Sequence, residues 1–205
     1  MCWQQCSGTT RPERTGRYRR HMSLFLVRHG ATEWSESGRH TSHSDIPLLP
    51  EGELEAEDLA GYFADQEFAL VLTSPMQRAR RTAELAGFPH AEVDEDLREW
   101  DYGTYEGLTR TQIREQDPDW SIWTGPTPGG ESAEDVAARL DRLIARVRTV
   151  DGDVLAFAHG HIGRALGSRW IGESPAFGRV LSLDTATVSV LGEDRGDWVI
   201  ERWNS

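Results

Sequence analysis

Three short apolar runs, each followed by a segment with helical spacing, constrain the fold of this chain most. They lie at residues 24–27, 68–73 and 154–158. Runs of this length and composition are typical of strands that are buried on both faces of a sheet. Because strands that alternate with helices form parallel sheets covered by helices, we expect an α/β fold. The predicted architecture is a three-layer sandwich with a largely parallel central sheet flanked by helices.

Turn and capping signals place the elements around these strands. Pro50 stands near the start of a predicted helix over residues 49–64. Ser74 and Pro75 predict an N-cap and the first position of a helix over residues 75–86. Three further helices are predicted: a short one at 109–116, an amphipathic one after the capping box of Ser132 and Asp135, and one after residue 161 to about 170. Further strands are predicted at 91–93, 185–191 and 198–202, the last two paired through a turn at 192–197. Residues 97–108 and 117–130 are predicted loops.

Composition bounds the class of protein. The chain has 205 residues, 38% of them hydrophobic, which suffices for the core of one globular domain, placed here at residues 22–205. Its net charge is -12, and all 22 basic residues are arginines. We therefore expect no nucleic-acid partner, and any anion site must be a local arginine pocket. No stretch approaches the ~18 apolar residues of a membrane helix, so no membrane contact and a cytoplasmic location are expected.

Residues 1–21 form a polar leader that we expect to be disordered or an extension of the native chain. The leader holds both cysteines of the protein, Cys2 and Cys6. No core would orient cysteines ahead of the first strand, so neither a disulfide nor a zinc site is expected. The leader is rich in arginine, as a transit peptide is, but it lacks the apolar segment of a secretory signal. Met22, directly before the first strand, favours a misplaced start or an added N-terminal extension over a native leader.

Polar side chains suited to chemistry follow each of the three buried strands. Arg28 and His29 follow the first strand, Ser74 and then Arg78 follow the second, and His159 follows the third. In a parallel sheet these strand ends open on one edge, where open α/β sheets bind ligands. The predicted helix start after Ser74 would add free amides and the positive end of a helix dipole. Together these groups predict a phosphate pocket, although singly Arg78 also fits a surface helix and His159 a strand cap.

Four motifs follow one another along the chain. They read Leu-Val-Arg28-His29-Gly30-Ala-Thr-Glu-Trp34, Thr73-Ser-Pro-Met-Gln-Arg78-Ala-Arg-Arg-Thr82-Ala83, Leu97-Arg-Glu99-Trp-Asp-Tyr-Gly103-Thr-Tyr-Glu-Gly107 and Ala158-His159-Gly160-His161. In this order they resemble the histidine phosphatase superfamily, in its phosphoglycerate mutase-like branch, over nearly all of residues 23–203. The resemblance implies a phosphoglycerate mutase-like fold, and it implies neither a metal nor a cofactor.

The resemblance also assigns roles to residues. It implies His29 as the nucleophile that becomes phosphohistidine, and Glu99 as the proton donor to the leaving oxygen. Arg28, Arg78 and His159 would be phosphate ligands. This agrees with the physical requirement of phosphoryl transfer, which depends mainly on positioning and on fixed positive groups. Gly30 would let the backbone approach the transferring group.

Two residues have competing interpretations. Glu106 lies in the same loop as Glu99 and is the alternative proton donor, but the family spacing favours Glu99. His161 follows His159 by two positions and therefore suggests a metal ligand or a second base. Its position at a helix start favours a substrate or structural role, since one His-x-His without nearby acids is poor evidence for a metal.

Within the superfamily, the motifs most resemble the group of sedoheptulose-1,7-bisphosphatase and the mycobacterial acid phosphatases. That likeness places a further set on the substrate side: Ser35, Ser74, Tyr102, His161 and Arg164. Trp34-Ser35 stands where the mutase pattern has Trp-Asn, and the chain offers little sequence for a closing lid. The sequence therefore predicts a metal-independent phosphatase rather than a phosphoglycerate mutase.

The predicted partner is a small phosphorylated metabolite, a sugar phosphate or bisphosphate. A catalytically inactive module that binds phosphate through the same arginines is the hypothesis from another class. The five residues to which the resemblance assigns roles in the reaction are all of types competent for catalysis, which favours an enzyme. They are Arg28, His29, Arg78, Glu99 and His159. A homodimer is compatible with the sequence, which does not fix the oligomeric state.

Overall fold

A six-stranded sheet in the order β3-β2-β4-β1-β5-β6 forms the centre of the molecule. The computed structural model describes residues 22–205, so the predictions for residues 1–21, including Cys2 and Cys6, lie outside the described part. The strands are β1 (Leu24–Arg28), β2 (Leu70–Thr73), β3 (Glu92–Val93), β4 (Val154–Ala158), β5 (Val188–Asp194) and β6 (Asp197–Arg202). The first four strands run parallel, and β5 and β6 are antiparallel additions at one edge. The predicted largely parallel sheet is confirmed.

Six α-helices accompany the sheet. They are α1 (Glu33–Ser37), α2 (Pro50–Phe63), α3 (Gln77–Leu85), α4 (Arg110–Arg114), α5 (Ala133–Val147) and α6 (Gly160–Trp170) within the described residues. One apolar core packs α2 and α3 against one face of the sheet, and it includes Phe63, Ala79 and Val27. The other core packs α5 and α6 against the opposite face, where Leu140 and Leu166 are buried from solvent. The three-layer sandwich therefore stands as predicted.

The start of α3 differs from the prediction. The helix begins at Gln77 with Met76 as its N-cap, two residues later than the Ser74-Pro75 signal indicated. Ser74 is fully buried and its Oγ lies 2.7 Å from Nε2 of His159. The same Oγ accepts from the amide of Met76 at 3.4 Å, so the shorter contact of the hydroxyl that was expected to cap the helix is with a residue distant in sequence.

Smaller differences concern the closing strands and one short helix. The strand β5 starts at Val188 and extends to Asp194, so the hairpin turn contracts to Arg195 and Gly196, both with positive φ. The short helix α1 was not predicted, although Thr32 and Ser35 form a capping box at its start. No helix within residues 22–205 is long and apolar enough to cross a membrane.

Candidate active site

The register of the central strands brings the predicted residues to one edge of the sheet. Arg28 at the end of β1 pairs with Ala158 at the end of β4, so His29 and His159 leave neighbouring strands at the same level. Their ring centroids are 5.1 Å apart. This is the carboxyl end of the parallel strands, as the sequence predicted.

His29 is held as a neutral imidazole. Its Nδ1 lies 2.8 Å from the carbonyl oxygen of Gly30, and a carbonyl only accepts, so Nδ1 carries the hydrogen and Nε2 carries the lone pair. Burial lowers the pKa of His29 well below its ordinary value, and the positive charges of Arg78 and Arg28 lower it further. Nε2 has no hydrogen-bond partner among residues 22–205 and is not sealed from solvent. His29 is thus an available nucleophile.

Gly30 is required for packing against α2. A Cβ atom at Gly30 would lie 2.2 Å from the carbonyl oxygen of Gly52, a distance that no real side chain allows. This backbone contact fixes the segment that follows His29, and the expectation that the glycine admits the transferring group stays a prediction.

Arg28 supplies positive charge beside the nucleophile. One Nη donates to the carbonyl of Leu183 at 2.6 Å, while Nε is buried without a hydrogen-bond partner in the described part of the chain. An unpaired buried donor is costly. A bound anion would satisfy it, so the arrangement fits the predicted phosphate ligand.

Arg78 and His159 are both buried and are bonded to each other. Arg78 is 1% exposed; its Nε donates to Nδ1 of His159 at 3.0 Å, and its Nη atoms donate to the carbonyls of Thr41 and Ser44. Because Nδ1 of His159 accepts, its hydrogen is on Nε2 and is donated to Ser74. Burial lowers the pKa of His159 well below its ordinary value, and the charge of Arg78 adds to this.

The cluster leaves three predicted roles open. Ser74 is fully buried and its Oγ contacts His159, so it helps to orient this ring, and its place on the substrate side stays a prediction. The direct contact of Arg78 and His159 with phosphate stays a prediction, because their polar atoms here bond to the protein.

A cavity of about 150 Å³ opens in front of His29. Seven of the ten predicted residues line it: Arg28, His29, Ser35, Glu99, Tyr102, His161 and Arg164. Larger surface clefts of about 490 and 750 Å³ lie elsewhere, but neither is lined by a histidine. We place the site at the smaller cavity because the titratable groups converge there.

Glu99 is fixed by the start of α6. It is 7% exposed, and its carboxylate accepts from the amides of Trp100 at 2.9 Å, Ile162 at 2.7 Å and His161 at 3.0 Å. The helix start that meets the site is therefore that of α6, and it binds a carboxylate of the protein.

The first amide of α3 is not free to bind the phosphate. The amide of Gln77 donates to Oδ1 of Asp45 at 2.8 Å, which corrects the prediction of a free amide at this position.

Glu106 has a different task from Glu99. It accepts from the amide and hydroxyl of Ser42 and from the amide of Ser44, and it does not line the cavity. Burial alone would raise the pKa of Glu106, but these hydrogen bonds outweigh burial and lower it. Glu106 therefore anchors the loop at residues 41–44, and the geometry favours Glu99 as the proton donor.

The other side chains predicted on the substrate side each make a hydrogen bond within the protein. Arg164 donates from Nε to the carbonyl of Gly178 at 2.9 Å and lies 4.6 Å from the ring centroid of Trp123. Oγ of Ser35 is engaged with the backbone of Thr32 in the capping box of α1. Tyr102 pairs its hydroxyl with Nδ1 of His161 at 2.7 Å.

Sequence reasoning missed two residues at the site. His40 lines the cavity and stacks on His161, but a single histidine in a polar loop gives no signal of this. Arg139 lies on α5, where the sequence shows only one charge in an amphipathic pattern. It is 7% exposed and donates to the carbonyls of Asp96, Arg98 and Glu99.

Arg139 thereby positions the segment that carries Glu99. It also pairs in a bidentate manner with the carboxylate of Glu131, at 2.7 and 2.9 Å. That carboxylate in turn accepts from the amide of Asp101. One guanidinium therefore joins α5, the segment of Glu99 and the loop that ends at Glu131.

Replacing Arg139 with leucine is expected to lower the free energy of unfolding by about 3 to 5 kcal/mol, because the Arg139 side chain is only 8% exposed and its loss leaves the carboxylate of Glu131 and three backbone carbonyls without their donor. Urea unfolding monitored by circular dichroism measures this. Arg142→Leu is the matched control on the same helix: its pair with Asp96 is exposed, so a loss of about 1 kcal/mol or less is expected. Equal losses in both variants would refute the assigned role.

The buried histidines predict a loss of stability in acid. Burial lowers the pKa of His29, His40, His159 and His161 below 6.5 in the folded state, so the unfolded chain takes up protons that the folded chain does not. The contribution of these neutral histidines to the free energy of unfolding is complete above pH 6.5. As the pH falls below 6.5, the free energy of unfolding decreases by about 1.4 kcal/mol per pH unit for each histidine, until the pKa of that histidine in the folded state is reached.

Urea unfolding between pH 7.5 and 5.5 measures this slope. His161→Asn should flatten it by one histidine's share, because burial lowers the pKa of His161 in the folded state. An identical slope in His161→Asn and the unaltered protein would contradict the prediction.

No group of three or more His, Cys, Asp or Glu side chains within residues 22–205 is arranged to hold a metal ion.

Comparison with known proteins identifies the family of this chain. The model of the histidine phosphatase superfamily (branch 1) matches residues 24–205. An acid phosphatase of Mycobacterium tuberculosis is 41% identical over 182 residues, covering 86% of this chain and 89% of the relative. Sedoheptulose 1,7-bisphosphatase of Saccharomyces cerevisiae is 34% identical over 181 residues, covering 72% and 67%. The solved structure of an open reading frame product from Mycobacterium tuberculosis superimposes with a TM-score of 0.86 at 38% identity, covering 89% and 97%.

The chain belongs to the histidine phosphatase superfamily, branch 1. The resemblance inferred from the four motifs is therefore confirmed, and so is the phosphoglycerate mutase-like fold.

Proposed function

We propose that the protein is a metal-independent phosphomonoester hydrolase that acts through a phosphohistidine intermediate. One observation carries the proposal: the neutral His29 presents its free Nε2 to a cavity that Arg28 and Glu99 also line. The phosphatase names of both curated relatives support hydrolysis.

In the first step, Nε2 of His29 attacks phosphorus in line with the ester oxygen. The N–P bond forms, the P–O bond to the alcohol breaks, and protonated Glu99 gives its proton to the leaving oxygen. Arg28 offsets the negative charge on the transferring phosphoryl group. In the second step, water attacks phosphorus, its proton passes to Glu99, and the P–N bond breaks to release phosphate and restore His29.

The substrate is a small phosphorylated metabolite, a sugar phosphate or bisphosphate. The cavity of about 150 Å³ has the volume of roughly five water molecules, which suits a phosphoryl group with a short polyol. The polar lining of imidazoles, a phenol and guanidinium groups suits hydroxyl-bearing carbon chains.

Phosphate release from sugar mono- and bisphosphates in EDTA, at several pH values, tests the proposal, with p-nitrophenyl phosphate as a general substrate and His29→Ala as the control. We expect turnover without added metal and a preference for some of the sugar esters. If the unaltered protein is no faster than His29→Ala on every ester, the chain is a phosphate-binding module.

A phosphoglycerate mutase is the second candidate, since it uses the same histidine chemistry. Incubation with 3-phosphoglycerate and catalytic 2,3-bisphosphoglycerate separates the two. A phosphatase should release free phosphate and form little 2-phosphoglycerate. Rapid formation of 2-phosphoglycerate with little free phosphate would overturn the proposal.

A further inference from the structure

We propose that His40 selects the substrate by accepting a hydrogen bond from a hydroxyl group on the carbon chain that carries the phosphate. The proposal rests on the proposed phosphatase function and deepens it. It concerns a residue that the reaction chemistry itself does not require.

The tautomer of His40 follows from its anchor. Nδ1 lies 2.8 Å from the carbonyl oxygen of Leu108, which only accepts, so Nδ1 carries the hydrogen. The lone pair is therefore on Nε2. Nε2 has no hydrogen-bond partner among residues 22–205, is not sealed from solvent, and belongs to a side chain that lines the cavity. His40 thus combines a place in the cavity wall with an accessible acceptor that has no donor.

The ring has little freedom to turn. The amide of His40 donates to the carbonyl of Leu108 at 2.9 Å, and the carbonyl of His40 accepts from the amide of Gly107 at 2.8 Å. The imidazole stacks on His161 with an interplanar angle of 6°, and Tyr102 and Trp120 meet it edge on. An acceptor held on all sides can discriminate between ligands, because a poorly matched group cannot make it move aside.

The chemistry of the acceptor identifies the group that it fits. A phosphate oxygen also accepts and would face the lone pair of Nε2, so this position does not suit a second phosphate. Burial lowers the pKa of His40, with opposing effects from Glu99 and Glu106 and a further lowering by Arg110, which keeps the ring neutral. An alcohol hydroxyl supplies the missing donor, and His40 shares the cavity with Glu99, the proposed proton donor to the leaving oxygen.

Two esters with the same carbon count test this: glycerol 3-phosphate, whose chain carries hydroxyls, and n-propyl phosphate, whose chain carries none. We expect the unaltered protein to favour glycerol 3-phosphate in kcat/KM. His40→Asn keeps a donor near the position of Nδ1 but has no atom at Nε2. It should lower this preference about five- to tenfold while kcat/KM for n-propyl phosphate changes less than about twofold.

The matched control is His43→Asn, three residues along the same loop, where the histidine is exposed and pairs with Asp101. Its preference should equal that of the unaltered protein. A protein without any preference for glycerol 3-phosphate overturns the proposal, whether or not the His40 variant folds. So does an equal fall of both kcat/KM values in His40→Asn, because that is the result of a purely structural role.

Failure of the proposed function is a separate outcome. If neither these esters nor p-nitrophenyl phosphate is hydrolysed, the phosphatase assignment fails. The same preference, measured as a ratio of dissociation constants by calorimetry, then still decides whether His40 reads the hydroxyl.

Discussion

Replacing His29 with alanine is expected to lower kcat for phosphate release by about 10⁴-fold or more, as the loss of a covalent nucleophile does in other enzymes. The reason lies in the geometry of the site. Nε2 of His29 is a free, neutral nitrogen on the cavity, whereas both ring nitrogens of His159 are engaged by Arg78 and Ser74. His159 therefore cannot replace it without rearranging two buried hydrogen bonds.

Steady-state release of phosphate from p-nitrophenyl phosphate measures this effect. Inorganic vanadate should still bind His29→Ala, because Arg28 remains on the cavity, and this separates lost chemistry from lost folding. His90→Ala, at an exposed position, is the matched control and should retain full activity. A His29→Ala enzyme within tenfold of the unaltered protein would refute the assignment of the nucleophile.

The second large effect is a dependence on the leaving group in Glu99→Gln. Hydrolysis of alkyl phosphates should fall about 10²- to 10⁴-fold, since their leaving oxygen needs a proton, whereas p-nitrophenolate leaves without one. Hydrolysis of p-nitrophenyl phosphate should therefore fall much less. The amide oxygen of glutamine can keep the hydrogen bonds from Trp100 and Ile162, and only the bond from the amide of His161 is lost, so the loop should remain in place.

Glu106→Gln is the control because its carboxylate holds Ser42 and Ser44 outside the cavity lining. We expect it to lower both activities in similar proportion through the loop at residues 41–44. A leaving-group dependence in Glu106→Gln that exceeds the one in Glu99→Gln would show that the two roles are exchanged.

The edge of the sheet that carries the site was predictable from local patterns. A buried apolar run identifies a strand, parallel strands share their carboxyl ends, and so Arg28, His29 and His159 had to meet. The assignment of Glu99 over Glu106 came from motif spacing, and the geometry agrees with it.

The misplaced details depend on contacts between residues far apart in the chain. Ser74 was expected to cap α3, but its hydroxyl is taken by His159, 85 positions away. The amide of Gln77 at the start of the same helix is occupied by Asp45. Rules for helix capping consider only residues near the helix start, so they take no account of these contacts with His159 and Asp45.

The missed residues have the same cause. Arg139 reads as one more charge on an amphipathic helix, and only folding reveals that it faces three carbonyls of the segment around Glu99. His40 gains a role only when the loop at residues 105–109 supplies the carbonyl of Leu108.

The central claim, a covalent phosphohistidine at His29, is tested most directly by trapping the intermediate. The enzyme is mixed with ³²P-labelled substrate, quenched in alkali within milliseconds, digested and mapped. The account predicts label that is stable in alkali and labile in acid, on the peptide that contains His29, with none in His29→Ala. Label on the peptide of His159, or rapid turnover without any covalent label, would contradict it.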